Sequence, residues 1–233
     1  MIGRADRRLE QALHALSSAL EATGAAWMVI GGIAVIARGV RRFTTDIDAA
    51  VRGDEVDIPA VLRTLATQKI VPRIEDAAKF ASESLVLLVR HAPTGVDLDV
   101  SLAWTPFEHQ AISSATVAAF GSVDAPMAKP EDLVVFKAIA ARGKDIDDIT
   151  ALLALYPLLD LEQIRARARQ LAALAESPEL SESVERALQA LKPVRVSRAT
   201  RSSPRPPKRK ATGPKSKKPI AVGKTKATKK RVK

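Results

Sequence analysis

Apolar and polar positions along the chain follow two periods that alternate from the amino terminus onward. Leu9, Leu13, Leu16 and Leu20 recur three or four residues apart, predicting an amphipathic helix over residues 6–22. A continuous apolar run, residues 26–30, then predicts a short buried strand. Gly31-Gly32 follows it, permitting a tight turn into the helix suggested by residues 33–37. Asp46-Ile47-Asp48-Ala49-Ala50-Val51 switches to period two and reads as a strand. Residues 58–67 and 77–82 predict two further helices, and strands 84–89 and 96–100 form a hairpin around Pro93-Thr94-Gly95.

The second half is mostly helical. Residues 104–107 end the hairpin and open a short helix to Ser113, and a strand is predicted at about 117–123. Pro130, Glu131 and Asp132 suit a helix N-terminus, with Leu133, Phe136 and Ala140 at helical spacing and Lys137 as a charged neighbour of that stripe. Gly143 is expected to cap this helix and Asp145 to lie near the start of the next, which continues to Leu155. Helices over 161–175 and 181–191 complete the pattern. The order of elements implies an α/β or α+β fold, a small mixed sheet flanked by helices with a helical C-terminal extension. No internal repeat is present.

Charge divides the chain unevenly. The net charge of +11 over 233 residues arises from residues 192–233, which hold 17 Lys and Arg, six Pro and no Asp or Glu. A segment of this kind cannot build a core and is expected to be disordered. It would bind phosphate backbones through counterion release, making nucleic acid an expected partner, and it lacks the interleaved aromatics that read bases. The preceding residues are 20 basic against 26 acidic. The expected organisation is a catalytic domain over 1–155, a helical extension over 156–191 and the basic tail over 192–233. With 46% apolar residues but eight aromatics, the core is built from Ala, Leu, Val and Ile. The absence of cysteine excludes disulfides and thiol chemistry and accords with a cytoplasmic location. No signal peptide or membrane span is read from the sequence.

The candidate chemistry lies in an ordered set of residues. Backbone N–H groups of Gly31 and Gly32, at a helix start, face outward and attract phosphate. Asp46 and Asp48 share one strand face, and the hairpin can bring a third carboxylate beside them. Asp97 and Asp99 both lie on the required face, and the distance after Gly95 favours Asp99. Three hard oxygen ligands suit Mg²⁺, with Mn²⁺ as an alternative, and two ions would support in-line displacement at phosphorus. Asp-x-Asp occurs at 46/48, 97/99 and 145/147, so the weight rests on the ordered set. His14, His91 and His109 have no metal-ligand spacing, and no nucleophile elbow supports Ser/His/Asp catalysis.

At these residues the chain resembles the DNA polymerase β-like nucleotidyltransferase superfamily, and within it the AbiEii-type toxin nucleotidyltransferases and their uncharacterised relatives. Arg42-Phe43-Thr44-Thr45-Asp46-Ile47-Asp48 is similar to the Arg-x-Thr-x-Asp-Ile-Asp segment of that group, and residues 129–149 to its Pro-Glu-Asp-Leu helix and following Asp-rich element. The likeness spans roughly residues 20–155. It implies transfer of a nucleoside monophosphate from an NTP, with Asp46, Asp48 and Asp99 as catalytic metal ligands and Gly31, Gly32, Arg42, Thr44 and Lys137 binding substrate. Gly32 replaces the serine of many members, so backbone amides must serve in place of a hydroxyl.

Three functions compete on this reading. The first is transfer to a hydroxyl of RNA, a tRNA 3′ end among the candidates, or of a protein, in a toxin that would be paired with an antitoxin protein. The second is transfer to a small hydroxylated molecule such as an aminoglycoside. The third is a catalytically silent nucleic-acid-binding protein, against which the intact Asp46, Asp48 and Asp99 count.

Overall fold

The leucine stripe of the first helix is buried as its spacing requires: Leu13, Leu16 and Leu20 have no exposed surface. A computed structural model of the chain describes residues 4–190 apart from 141, 175 and 177. Helix α1 (Arg4–Glu21) leads into β1 (Trp27–Ile30), α2 (Gly31–Ala37) and β2 (Asp46–Arg52). A single 3₁₀ turn, α3 (Ile58–Thr67), β3 (Ile70–Pro72) and α4 (Ala77–Ser84) precede the hairpin β4 (Val86–His91) and β5 (Val96–Ala103). Then come α5 (Pro106–Ser114), β6 (Thr116–Phe120), β7 (Val123–Met127), α6 (Pro130–Ala140) and α7 (Gly143–Leu155). Helices α8 (Leu161–Leu174) and α9 (Pro178–Ala190) close the described chain.

Among the described residues seven strands form one mixed sheet in the order β3-β4-β5-β2-β1-β7-β6. The fold is therefore mixed α/β, with β2 and β1 at the centre. Strand β2 pairs antiparallel with β1 and parallel with β5, so β5 enters the sheet only after a crossover through α3 and α4. Helix α1 packs against β2, β5 and β7. Helix α6 packs on α7, α8 and α9, and the buried Arg167 of α8 donates to the buried Asp132 of α6. Among the described residues no helix is long and apolar enough to cross a membrane.

Several boundaries differ from the sequence reading for identifiable reasons. In place of the single strand expected over 117–123, a turn at Gly121, which has φ +60°, gives the hairpin β6–β7. Strand β3, three residues ending in Pro72, is too short to give a periodic signal and is defined by its pairing with β4. Ser84 ends α4 and is not in β4, with Leu85 in a left-handed conformation between them. Gly143 does not cap α6 but is the first residue of α7, with Arg142 at its N-cap. The basic tail, residues 192–233, lies outside the described residues.

Candidate active site

The antiparallel register of β1 and β2 sets Ile30 opposite Asp48, so the chain leaving β1 must pass directly beside that carboxylate. Gly31 makes the passage with φ +63°, and a Cβ there would lie 1.9 Å from Asp48 Oδ2 and 2.7 Å from Asp48 Cβ. A Cβ on Gly32 would lie 2.5 Å from Thr44 Oγ1 and 2.9 Å from Thr44 Cβ. Both glycines are thus fixed by close approach, and Gly31 also by its left-handed backbone. The Gly32 backbone amide favours the ionised form of Asp48. In this arrangement the amide that was expected to meet phosphate is supporting Asp48.

The parallel register of β2 and β5 then places Asp46 beside Asp97 and Asp48 beside Asp99. Because side chains alternate, all four carboxylates share one face while Ile47 and Leu98 point into the core. Burial pushes the Asp48 carboxyl above its ordinary pKa, the charges of Asp46 and Asp99 push it further, and Lys137 and the Gly32 amide oppose them. Burial likewise raises Asp99; the Arg73 charge works against this, and Asp46 and Asp97 reinforce it. Asp97 behaves oppositely, lowered chiefly by a hydrogen bond from Arg90 at 2.6 Å and by Arg73 at 3.2 Å. Asp97 therefore has two cations, Arg90 and Arg73, whereas Asp99 shares Arg73 with it and has no other ion-pair partner among the described residues.

Two of the carboxylates are engaged by neighbouring side chains. Thr44 Oγ1 donates to Asp46 Oδ1 at 2.7 Å, and Arg73 pairs with Asp99. Among the described residues no three acidic or histidine side chains converge on one point closely enough to hold an ion as they stand. The donor set nonetheless fits a hard divalent cation by its chemistry: hard carboxylate oxygens on neighbouring strands, two of them penalised for ionising. Asp46, Asp97 and Asp99 also line a cavity of about 390 Å³, with Arg8, Arg73 and Phe43 among its other walls. Phe43 is 73% exposed.

A second ionic cluster lies between α6 and α7. Lys137 is buried, and its Nζ bridges Asp145 Oδ1 at 3.0 Å and Asp148 Oδ2 at 2.9 Å. A charged group at this depth has to find partners, so the lysine turns inward and does not extend along the surface to water. Arg42 pairs with the same Asp148, and Arg142 Nε donates to Asp145 Oδ2 at 2.7 Å. Burial alone would raise Asp145, but the hydrogen bonds from Arg142 and Lys137 outweigh it and hold the carboxyl below its usual range. Of the residues expected to bind substrate, Arg42, Thr44 and Lys137 are thus all engaged with protein carboxylates. Lys137 still reaches the first cluster through its charge on Asp48.

Arg73, Asp145 and Asp148 are the site residues that sequence reasoning missed or set aside. Asp145 and Asp148 were explained by their place near a helix start. The available signal was Lys137 itself, since a lysine beside an apolar stripe and followed by two acids at 145 and 148 points to a buried network. Nothing in spacing announces Arg73, which is brought to Asp99 by the pairing of β3 with β4.

Residues 7–190 match the family described as nucleotidyltransferase of unknown function (DUF6036). Similar solved structures include ANT(2'')-Ia in complex with adenylyl-2''-tobramycin, 17% identical with a TM-score of 0.48, covering 70% of this chain and 97% of that one. JHP933 from Helicobacter pylori is 14% identical with a TM-score of 0.45, covering 80% and 90%. An antigenic nucleotidyltransferase-like protein from Paracoccidioides brasiliensis is 18% identical with a TM-score of 0.40, covering 79% and 94%. Comparison with curated proteins finds no match.

Proposed function

Starting from the chain's membership of the DUF6036 nucleotidyltransferase family, we propose that it moves a nucleoside monophosphate from an NTP to a hydroxyl of RNA, with Mg²⁺ held by Asp46, Asp48 and Asp99. The observation that carries this reading is the register of β2 with β5, which sets carboxylates from two distant segments side by side next to the Gly31 bend. Bound there, divalent ions would activate the acceptor hydroxyl and neutralise charge on the departing pyrophosphate. The new bond joins acceptor oxygen to the α-phosphorus as the bond to pyrophosphate breaks.

The protein's own groups divide the remaining work. Gly31 and Gly32 let the backbone approach without side chains, and Asp48, close against the Gly31 bend, would be one of the residues that hold the metal. Lys137, fixed by Asp145 and Asp148, adds positive charge behind Asp48 without competing for it as a direct partner. The cavity beside Asp46 and Asp99 would receive the acceptor, and the exposed Phe43 ring offers a face on which a base can stack. The basic tail supplies an electrostatic tether to RNA. A tRNA acceptor would suit a toxin held in check by an antitoxin protein.

A second reading has one observation in its favour. Three of the cavity's walls are carboxylates, and its volume suits a small polycation such as an aminoglycoside. Incubating the purified chain with Mg²⁺, each labelled NTP, and total RNA, an aminoglycoside or the protein alone separates these readings. Label on RNA is the expected result; label confined to the small molecule or to the protein overturns the RNA assignment. No label on any acceptor overturns the transfer reaction. Truncation after Leu191 should weaken RNA binding and flatten its salt dependence, and an unchanged salt titration would remove the tether.

A further inference from the structure

Arg73 is the cation paired with Asp99, and its surroundings leave it able to let go. Its backbone N–H donates to Leu88 O at 3.0 Å, which fixes the start of the side chain at the sheet edge. The guanidinium spans Asp97 and Asp99, in the wall of the same cavity that exposes both acids. Asp97 has a second partner in Arg90, so departure of Arg73 would not leave it unpaired. Asp99 has no such substitute among the contacts of the described residues, and it faces the charges of Asp46 and Asp97. The Nε of Arg73 is buried and has no hydrogen-bond partner, so this placement does not satisfy the arginine fully.

We propose that Arg73 is an internal counter-ion that competes with the divalent ion for Asp99 and is drawn off it by substrate phosphate. This rests on the metal-dependent reading of the site and adds a coupling to it. A guanidinium fork matches a phosphate as well as it matches a carboxylate, and phosphate brings more charge. With the arginine on the nucleotide, Asp99 is free to complete the ligand set. Without nucleotide, the arginine suppresses repulsion among the acids and keeps the site weakly receptive to metal. Arg73 is thus a positioning residue that acts through Asp99.

The test is Mn²⁺ binding to the full chain without nucleotide, read by electron paramagnetic resonance, together with steady-state kinetics. Arg73→Gln should bind Mn²⁺ about tenfold more tightly than wild type, a change of roughly 1.4 kcal/mol, while its KM for NTP rises. Arg73→Lys, which keeps charge but loses the fork, should fall between them. A merely structural role would weaken both ligands together, so opposite signs are the diagnostic. Equal or weaker Mn²⁺ affinity in Arg73→Gln overturns the proposal, and if that variant does not fold, Arg73→Lys decides on the same criterion. Absence of Mn²⁺ binding to every form, wild type included, overturns the metal-dependent reading and this inference with it.

Discussion

Two ionic clusters lie within one charge's influence of each other, and they are built on opposite terms. Between α6 and α7, Lys137, Arg42 and Arg142 meet Asp145 and Asp148, every charge has a partner, and Asp145 ionises more readily than an ordinary carboxyl. On β2 and β5, four carboxylates share one sheet face, and Asp48 and Asp99 are both harder to ionise than usual. The first cluster is satisfied by the protein alone. The second leaves Asp48 without an ion-pair partner among the described residues and Asp99 with Arg73 alone. Their difference makes the second cluster the candidate ligand site and the first a link between α6 and α7.

The largest effect should come from breaking the unsatisfied cluster. Asp48→Asn removes a ligand charge with little change in volume and should lower transfer by roughly a thousandfold or more, the several kcal/mol that metal coordination supplies. The same variant should stay folded and be at least as stable in metal-free buffer, because it relieves repulsion. Equal labelling by variant and wild type would remove Asp48 from the mechanism.

Lys137→Met breaks the satisfied cluster and should do the reverse. It leaves Asp145 and Asp148 buried with one cation fewer, so urea denaturation should show a loss of about 3–5 kcal/mol. A variant as stable as wild type would mean that the network is not what holds α6 to α7. Gly31→Ala tests the seam between the clusters and the strand. Its left-handed backbone should cost roughly 1–2 kcal/mol. The displaced Asp48 should lower activity by about a hundredfold, as for other misplacements of about 1 Å near reacting groups.

The smallest effect is a difference in pH slopes without metal. For Asp145, whose folded pKa is lowered, the stabilisation is complete above the unfolded value of about 3.9 and is lost as pH falls through the folded one. For Asp48, whose folded pKa is raised, stability is instead lost as pH rises from about 3.9 through the folded value. Asp145→Asn should therefore flatten the acid limb of a stability profile and Asp48→Asn the limb above it. Identical slopes in both variants would show that the clusters do not differ in the sense described.

The elements that position the site were readable because each carries its own period. The leucines of α1, the apolar run of β1, the glycine pair and the alternation of β2 are local patterns, and the structure reproduces them. The ordered set of acids was readable for the same reason, since strand alternation fixes a face without knowledge of neighbours. Asp99 was preferred on β5 for its distance after Gly95, and it does stand beside Asp48, although the register that puts it there belongs to a parallel pair joined by a long crossover and leaves no local pattern. Arg73 was illegible on the same ground. Lys137 was singled out as a substrate contact, but its burial between Asp145 and Asp148 was not legible, because both partners lie on the next helix.

The crossover between β2 and β5 also sets an order of events in the making of the chain. When residues 46–52 first leave the ribosome, the strand that will stand beside them has not been synthesised, and the lone acidic pair has neither Asp99 nor Arg73 for company. The four-carboxylate face is complete only when the hairpin of β4 and β5 joins the sheet, some fifty residues later. A nascent fragment ending before Val96 lacks Asp97 and Asp99 and so cannot assemble the acidic face.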